Sequence, residues 1–309
     1  MFNKLTPDNK YILSEIDKIV KGHYKAKIAL INAFNRSYLR YYQHHKENIH
    51  YDKCISNRNV LLLGQSGSGK TYLVEQLANI MEVPLLCIAA TELTPSGNDD
   101  GVNIKQIRKK IHDYCFYLVQ TRPHFLSTNG VIDQLIIFVD EIDKLGSRLS
   151  KGWNQHVQST YLRLFENKDE FTSITFIFAG AFVGLEDCSK STKIGFSLNN
   201  NQEAMEEHLE DDIIDYGIIP ELIGRIHSIV QIKPLQYEDY LEVMNTCLIP
   251  KLRNELYYIN QNKLYISPDE KEKMIKKAMK SNQGIRHLIK SIEAYVEDIE
   301  FEVPYKLSI

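Results

Sequence analysis

Residues 59–71 read NVLLLGQSGSGKT and decide the fold of this chain. The first five residues form a short apolar run, which is typical of a strand buried in a parallel sheet. The run leads into a glycine-rich stretch and then into YLVEQLANIM, whose apolar spacing indicates a helix. A buried strand, a loop and a helix in this order predict an α/β protein.

The stretch between the strand and the helix matches the phosphate-loop pattern GxxxxGK[ST]. Glycines let backbone N–H groups converge on an anion, and the following helix adds its positive end. We expect Lys70 to reach the β- and γ-phosphates of ATP and the Thr71 hydroxyl to hold Mg²⁺. A glycine-rich turn arising by chance is the alternative, but the flanking strand and helix argue against it. The predicted nucleotide-binding residues of this segment are Gly64, Gln65, Ser66, Gly67, Ser68, Gly69, Lys70, Thr71 and Tyr72.

A second apolar run, residues 135–139, ends in two carboxylates, Asp140 and Glu141. In an α/β sheet, the carboxyl ends of the strands face the ligand crevice. We expect Asp140 to support Mg²⁺ and Glu141 to act as the base that polarises the attacking water. Acidic residues capping a helix are the alternative. Because a base beside the metal carboxylate suits water activation, hydrolysis is favoured over kinase chemistry.

Composition limits the class of protein. The chain has 309 residues, enough for one large or two ordinary domains, with 43 % hydrophobic and 25 % charged residues. A net charge of −3 gives no general attraction for nucleic acid, so nucleic acid is an unlikely partner. No apolar run is long enough to cross a bilayer, and the N-terminus lacks a secretory signal. Five scattered cysteines without a CxxC spacing suggest reduced thiols. We therefore expect a cytoplasmic protein without membrane contact.

Together, the two motifs resemble those of AAA+ ATPases, and the rest of the chain resembles the ClpX/HslU unfoldase group, nearest to ClpX. The similarity extends from about residue 15 to 295. Residues 19–23, with Val20, resemble the nucleotide-capping N-terminal helix of that group. The other stretches follow the order of the group: ITFIFAGAFVGLED (174–187), IGF (194–196), IIDYGIIPELIGR (213–225) and GIRHLIKSIEA (284–294).

The resemblance implies a large α/β domain over residues 1–233 and a smaller, mainly helical domain over residues 234–309. The large domain should contain a five-stranded parallel sheet with flanking helices. Its strands are expected near 59–63, 83–88, 135–140, 174–178 and 228–232. In the small domain, the stretch from Ser267 to Glu270 predicts a capping box with proline at the first helical position.

The resemblance also implies roles for two arginines in a homo-oligomeric, hexameric ring. Arg225 matches the arginine finger, which reaches the nucleotide of the neighbouring subunit. Arg286 matches sensor 2, which ties the small domain to the γ-phosphate. At the sensor-1 position the strand ends in Ala179-Gly180, without the asparagine common in other AAA+ proteins. Without the resemblance, both arginines would be interpreted as ordinary surface or helix-end residues.

The chain departs from the family in the elements that handle substrate. The cysteines cannot build the zinc-binding adaptor domain of ClpX. Where an aromatic residue should grip the polypeptide in the pore, the chain has Asn98, Asp99 and Asp100, and hydrated carboxylates offer little apolar contact. The second pore loop, within 167–173, is also short. We expect the ATP-driven engine to be retained and the grip on substrate to be altered.

One apolar tripeptide, Ile194-Gly195-Phe196, lies in a polar stretch. In ClpX, an exposed loop bearing IGF docks into clefts on a ring-shaped peptidase, so the resemblance implies a ClpP-like partner. An apolar anchor in a polar loop also has the chemistry of a binding hot spot. The alternatives are that Phe196 folds back onto its own domain or is an inherited remnant.

Three functional classes follow. The first is an Mg-ATP-hydrolysing ring that remodels or disassembles a protein partner. The second is the ATPase regulatory subunit of a ClpP-like protease, which IGF favours and the acidic pore loop disfavours. The third is an ATP-dependent scaffold or switch, possibly acting with nucleic acid, in which nucleotide binding matters more than turnover.

Overall fold

Five parallel strands form a single sheet in the computed structural model, which describes residues 8–92, 102–121, 134–146, 155, 157–159, 161–162, 174–185, 202–260, 265–281 and 283–302. The strands are β1 (Asn59–Leu63), β2 (Leu85–Ala89), β3 (Leu135–Asp140), β4 (Ile174–Gly180) and β5 (Ile226–Gln231). Their spatial order is β2-β3-β4-β1-β5, and every neighbouring pair is parallel. The predicted five-stranded parallel sheet is therefore confirmed.

Helices precede, connect and follow the strands. The described helices are α1 (Asn9–Ile19), α2 (Tyr24–His45), α3 (Lys70–Met81), α4 (Val102–Thr121), α5 (Gln202–Tyr216), α6 (Pro220–Ile223), α7 (Tyr237–Val243), α8 (Ile249–Asn260), α9 (Pro268–Lys280) and α10 (Ile285–Glu302). A five-residue π-helical segment, Met244–Leu248, joins α7 to α8. Within the described ranges, no helix is long and apolar enough to cross a membrane.

The sheet is buried on both faces because successive side chains of a strand point in opposite directions. On one face, Val60 and Leu62 pack with apolar residues of α1, α2 and α3. On the other face, Leu61 and Leu63 pack with α4, α5 and the segment around Tyr161. Burial on both sides explains why β1 is uniformly apolar after Asn59. This packing fixes the carboxyl end of β1, from which the phosphate loop emerges.

The strand boundaries follow the sequence-based expectation with small shifts. The ends of β1 and β3 agree with it, whereas β2 was expected at 83–88 and begins at Leu85. Pro84 precedes it and has no N–H to donate, although its carbonyl accepts a hydrogen bond from Ile136 at 3.0 Å. The fifth strand was expected at 228–232 and begins at Ile226. Arg225 therefore lies directly before a strand.

The C-terminal part of the described chain is helical and has a hydrophobic core of its own. Buried residues of this core include Tyr240, Met244, Ile275 and Leu288. The capping box at the start of α9 is confirmed, because the Ser267 hydroxyl accepts from the backbone N–H of Glu270 and the Glu270 carboxylate accepts from that of Ser267. These helices form a second packing unit beside the sheet.

Candidate active site

The phosphate loop connects β1 to α3 and is held at both ends. Its first residue, Gly64, donates its N–H to the carbonyl of Gly180 at the end of β4, at 3.1 Å. Gly67 and Gly69 have φ values of 74° and 88°, the left-handed region that glycine adopts without strain. The Lys70 ammonium donates to the carbonyl oxygens of Gly64 at 2.5 Å and Gln65 at 3.0 Å. The loop therefore wraps around the lysine, and its glycines leave its backbone open to an anion.

The two sequence motifs meet through one hydrogen bond. The Thr71 hydroxyl in the first turn of α3 donates to Asp140 Oδ2, at the end of β3, at 3.1 Å. A hydroxyl and a carboxylate are oxygen ligands of the kind that Mg²⁺ prefers. The residues present therefore fit a magnesium ion at this point.

Glu141 follows Asp140 and has a strained backbone. Its φ is 59°, which is uncommon for a residue with a side chain. Its N–H donates to Asp140 Oδ1 at 2.8 Å, so Asp140 presents one oxygen to Thr71 and the other to the Glu141 backbone. The side chain of Glu141 is exposed. Left-handed backbone of this kind is concentrated at functional sites, where the surrounding structure holds it in place.

Positive and negative charges are separated within the site. Burial lowers the pKa of Lys70, and Arg286 lowers it further, whereas the carboxylates of Asp140 and Asp143 act in the opposite direction. Arg286 also donates from Nη1 to the Ser66 hydroxyl at 3.0 Å. Two cations therefore converge on the loop while carboxylates lie beside it. This arrangement suits a polyphosphate that carries a divalent cation.

The helical unit packs directly on the phosphate loop. A Cβ atom at Gly67 would lie 1.9 Å from the carbonyl oxygen of Gln283, and one at Gly284 would lie 3.0 Å from the carbonyl oxygen of Gly67. The N–H of Ile285 donates to the same Gly67 oxygen at 3.4 Å. The start of α10, which carries Arg286, is thus held against the loop by close backbone contact.

The turn between α1 and α2 joins the loop to the helical unit from another direction. Val20, predicted as a nucleotide contact, is buried at the end of α1. Lys21 forms an ion pair with Glu242 of α7 at 2.9 Å. His23, with a φ of 56°, has a side chain whose pKa the nearby Ser68 backbone and the charge of Asp239 act to raise. Burial lowers the pKa of His23, and Lys27 lowers it further, against those two opposing effects.

His23 was not among the predicted site residues. Its sequence signal is its place after glycine in the stretch resembling the nucleotide-capping helix, but nothing in that stretch shows contact with the loop. Tyr72, which was predicted, is 44 % exposed on α3. Burial raises the pKa of Tyr72, and Cys247 and Glu75 raise it further, which places Tyr72 beside the π-helical segment.

The end of β4 explains the missing sensor-1 asparagine. A Cβ atom at Gly180 would lie 2.6 Å from the Phe182 ring and 2.9 Å from Asp143 Oδ1. The position has no room for a side chain unless its neighbours move. Asp143, which is buried and whose charge acts on Lys70, is the polar side chain that occupies this part of the site.

Arg225 lies away from the other predicted site residues. Its carbonyl accepts a hydrogen bond from Asn59 Nδ2 at 3.0 Å, where β1 and β5 begin. The phosphate loop leaves the opposite end of β1, about 17 Å away for five residues of strand. The predicted residues from Gly64 to Thr71, together with Asp140, Glu141 and Arg286, form one site, and Arg225 does not belong to it within the same chain.

Similarity to known proteins agrees with this geometry. The AAA domain family (Cdc48 subfamily) matches residues 56–229, which is more than half of the chain. ATP-dependent Clp protease ATP-binding subunit ClpX of Treponema denticola is 31 % identical, over 96 % of this chain and 78 % of the relative. This chain is a ClpX-like AAA+ ATPase. A second relative, ClpX 2 of Wolinella succinogenes, is 27 % identical, and the similarity covers 97 % of this ATPase and 79 % of the relative. A third relative, ClpX of Borrelia duttonii, is 29 % identical, over 96 % of this ATPase and 75 % of the relative.

Three predictions fall on parts of this ATPase outside the described residues. They are the acidic pore loop at Asn98, Asp99 and Asp100, the short second loop within 167–173, and the tripeptide Ile194-Gly195-Phe196. The candidate nucleotide-binding residues lie within the described part of the chain.

Proposed function

We propose that this ATPase hydrolyses Mg-ATP as a homo-oligomeric ring, with six subunits, and uses the energy to remodel or disassemble a protein partner. The observation that carries the proposal is the Thr71–Asp140 hydrogen bond of 3.1 Å. It joins the phosphate loop to the carboxylate pair, so that phosphate-binding and water-activating groups share one site.

Lys70 and Arg286 would bind the phosphates. Lys70 is held by loop carbonyls at the start of α3, and Arg286 approaches from α10 through Ser66. The backbone N–H groups of residues 64–71 and the positive end of α3 add to their charge. The turn containing Val20 and His23, which packs beside the loop, is the expected place for the base of the nucleotide.

Thr71 and Asp140 would hold Mg²⁺, which when bound neutralises charge on the phosphates. Glu141 would accept a proton from the attacking water. Its strained backbone is anchored to Asp140, while its side chain is exposed beside the loop. A base fixed in this way loses little freedom when substrate binds, which is the physical advantage of a rigid site.

Arg225 would act on the nucleotide of an adjacent subunit. Because it lies at the opposite end of β1 from its own phosphate loop, it cannot serve the loop of its own chain. An arginine supplied across an interface stabilises charge on the transferring phosphoryl group, typically by about 10³–10⁵ in rate. This separation is the structural reason for proposing a closed ring, in which every site receives one arginine.

Hydrolysis would be coupled to movement through the helical unit, residues 234–309, which we propose as a separate domain. Three contacts connect it to the nucleotide site: Arg286 with Ser66, the start of α10 with Gly67, and Lys21 with Glu242. Loss of the terminal phosphate would remove an anion from between Lys70 and Arg286. The resulting change in position of α10 relative to the loop is the proposed mechanical step.

The second candidate is a regulatory subunit of a Clp protease. The names of the three relatives, each an ATP-binding subunit of the ATP-dependent Clp protease, favour it. Under this alternative, Ile194 and Phe196 would dock on a ClpP-like peptidase. Asn98 and the acidic residues Asp99 and Asp100, which replace an aromatic grip, favour the first candidate.

Affinity capture with the ATP-locked variant Glu141→Gln separates the two candidates. Captured proteins are identified by mass spectrometry, with and without the additional change Phe196→Ala. We expect one protein that is retained regardless of Phe196 and released when wild-type subunits hydrolyse ATP. A ring peptidase that disappears with Phe196→Ala would contradict the first candidate and establish the second.

A further inference from the structure

A group of cationic side chains lies at the edge of the sheet where β1 and β5 begin. We call Arg36, Arg58, Arg225 and His227 the strand-start cluster. Arg58 and Arg225 are exposed, Arg36 is partly buried, and all four belong to different local segments: α2, the approach to β1, the end of α6 and β5. The predicted arginine finger therefore has cationic neighbours that the sequence did not reveal.

Asn59 builds the core of this cluster. Its side-chain Nδ2 donates to the Arg225 carbonyl at 3.0 Å, and its backbone N–H donates to His227 Nδ1 at 3.4 Å. Its side-chain Oδ1 accepts from the N–H of Phe176 at 3.0 Å, which ties the group to β4. Asn59 pairs with Ile226 in the sheet, so Arg58 and Arg225 each directly precede a partner on neighbouring strands. Neighbouring strands are about 4.8 Å apart, which is less than the length of an arginine side chain.

Two members of the cluster, Arg36 and Arg58, carry positive charge that no carboxylate of the described ranges neutralises. Arg36 donates from Nε to the Ser56 carbonyl at 3.1 Å, a neutral partner. Within the described ranges, neither Arg36 nor Arg58 forms an ion pair with a carboxylate. Burial lowers the pKa of His227, and Arg58 and Arg36 lower it further, against a hydrogen bond to the Arg225 backbone. Burial likewise lowers the pKa of Arg36, with a second contribution from Arg58.

Like charges gathered in this way cost free energy unless an anion shares the space. An anion beside Arg36 and Arg58 would offset their repulsion, and no carboxylate of the described ranges forms an ion pair with either of them. Arg58 and Arg225 each lie one residue before the paired residues Asn59 and Ile226, so their Cα atoms are neighbours and two extended arginine side chains could contact one anion.

We propose that Arg58, supported by Arg36, forms with Arg225 a paired cationic contact to the triphosphate held by an adjacent copy of this chain. The inference rests on the proposed function, because it requires Arg225 to face a neighbouring nucleotide. The complementary surface is the site described above, where bound phosphates and the carboxylates of Asp140 and Glu141 present negative charge. Arg58 thus contributes to phosphate binding in trans, and Arg36 holds the approach to β1 in place through Ser56.

Steady-state ATP hydrolysis by Arg58→Ala gives the first test. We expect kcat/KM to fall about tenfold, which is close to the strength of one charge–charge interaction at about 4 Å in a water-like environment. Arg58→Lys should retain more activity than Arg58→Ala because it keeps the charge. Lys53→Ala removes one exposed positive charge from the same connecting segment and should leave kcat/KM unchanged. Unaltered kcat/KM in Arg58→Ala would overturn the inference.

Mixed assemblies then show whether Arg58 acts across the interface. Arg58→Ala subunits keep an intact hydrolytic site, and Glu141→Gln subunits keep Arg58. In mixed assemblies of the two variants, turnover per Arg58→Ala subunit should be several-fold higher than in assemblies of Arg58→Ala alone. A mixture of wild type and Glu141→Gln is the control for the effect of dilution with inactive subunits. No recovery would mean that Arg58 acts within its own chain, which overturns the inference.

The same mixing with Arg225→Ala separates failure of this inference from failure of the proposed function. Recovery with Arg225→Ala but not with Arg58→Ala refutes the role of Arg58 alone. No recovery with either variant refutes the trans-acting finger itself. If Arg58→Ala leaves hydrolysis intact and instead abolishes salt-dependent binding to single-stranded DNA, the cluster is a nucleic-acid surface and the inference is wrong.

Discussion

Individual residues with strained or crowded backbone meet at the nucleotide site. His23 and Glu141 both adopt positive φ, at 56° and 59°, although each has a side chain. Each such conformation costs on the order of 1–3 kcal/mol and persists only where surrounding contacts enforce it. Asp140 supplies that contact for Glu141, and the N–H of Lys27, which donates to the His23 carbonyl at 3.0 Å, supplies it for His23. Free energy is thus spent on placing these two side chains beside the phosphate loop.

Gly67 offers a direct test of how closely the helical unit packs on the loop. Gly67→Ala introduces both a strained φ and a contact of 1.9 Å with the Gln283 carbonyl. We expect the variant to unfold at a clearly lower temperature and to bind ATP at least tenfold more weakly, because α10 and Arg286 are displaced.

Gly69→Ala is the matched control for strain alone. Gly69 has a similar φ of 88°, but a Cβ atom there meets no atom within 4 Å. Without nucleotide, the unfolding temperature should fall further for Gly67→Ala than for Gly69→Ala. An equal fall in unfolding temperature for the two variants would show that the contact between Gly67 and Gln283 does not form.

Among the helices, strands and loops, the sequence predicted those features that depend on residues close together in the chain. The ends of β1 and β3, the phosphate loop and the capping box of α9 all follow from neighbouring residues, and the structure agrees with them. Strand β2 begins at Leu85, two residues later than expected, and Pro84, which precedes it, has no N–H to donate to the sheet. The contacts of Gly67 with Gln283 and of Asn59 with Arg225 join distant parts of the chain. No local pattern specifies them, so they were not predicted.

The capping box provides the prediction at this scale. Ser267→Ala removes the hydroxyl that accepts from the Glu270 N–H at the start of α9. We expect a loss of about 0.5–2 kcal/mol in the free energy of unfolding of the helical unit. Ser14→Ala, at an exposed position of α1, is the control and should be close to neutral because alanine favours helix. Denaturant titrations that show equal effects for the two changes would refute the cap.

The described part of the chain forms two packing units that meet at the phosphate loop. The sheet fixes the phosphate loop, Asp140 and Glu141, while the helical unit brings Arg286 onto Ser66. The strand-start cluster lies at the other end of β1 and carries Arg225. The phosphate loop and the cationic surface therefore lie at opposite ends of the sheet, an arrangement that agrees with the proposed ring of identical copies.

This packing makes stability depend on pH through two histidines. The folded state lowers the pKa values of His23 and His227 below the ordinary value of 6.5. Below pH 6.5 the unfolded chain therefore binds more protons than the folded one, so stability is complete above that pH and declines as the pH falls toward the folded pKa values. Replacing His23 with glutamine should reduce this decline in thermal unfolding between pH 7.5 and 5.5.

His112→Gln, which changes an exposed histidine on α4, is the control for the pH series. It should leave the slope of unfolding temperature against pH as in the wild type. An identical slope for His23→Gln and wild type would show that His23 does not couple proton binding to folding.

Turnover of Mg-ATP by Glu141→Gln beside the wild type tests the proposed mechanism most directly. Glutamine keeps the shape of the side chain but cannot accept a proton, whereas Lys70, Thr71 and Arg286 remain. We predict ATP binding with an affinity close to that of the wild type and a kcat lower by about 10²–10⁴. A Glu141→Gln protein that hydrolyses ATP at the wild-type rate would contradict the assignment of Glu141 as the base.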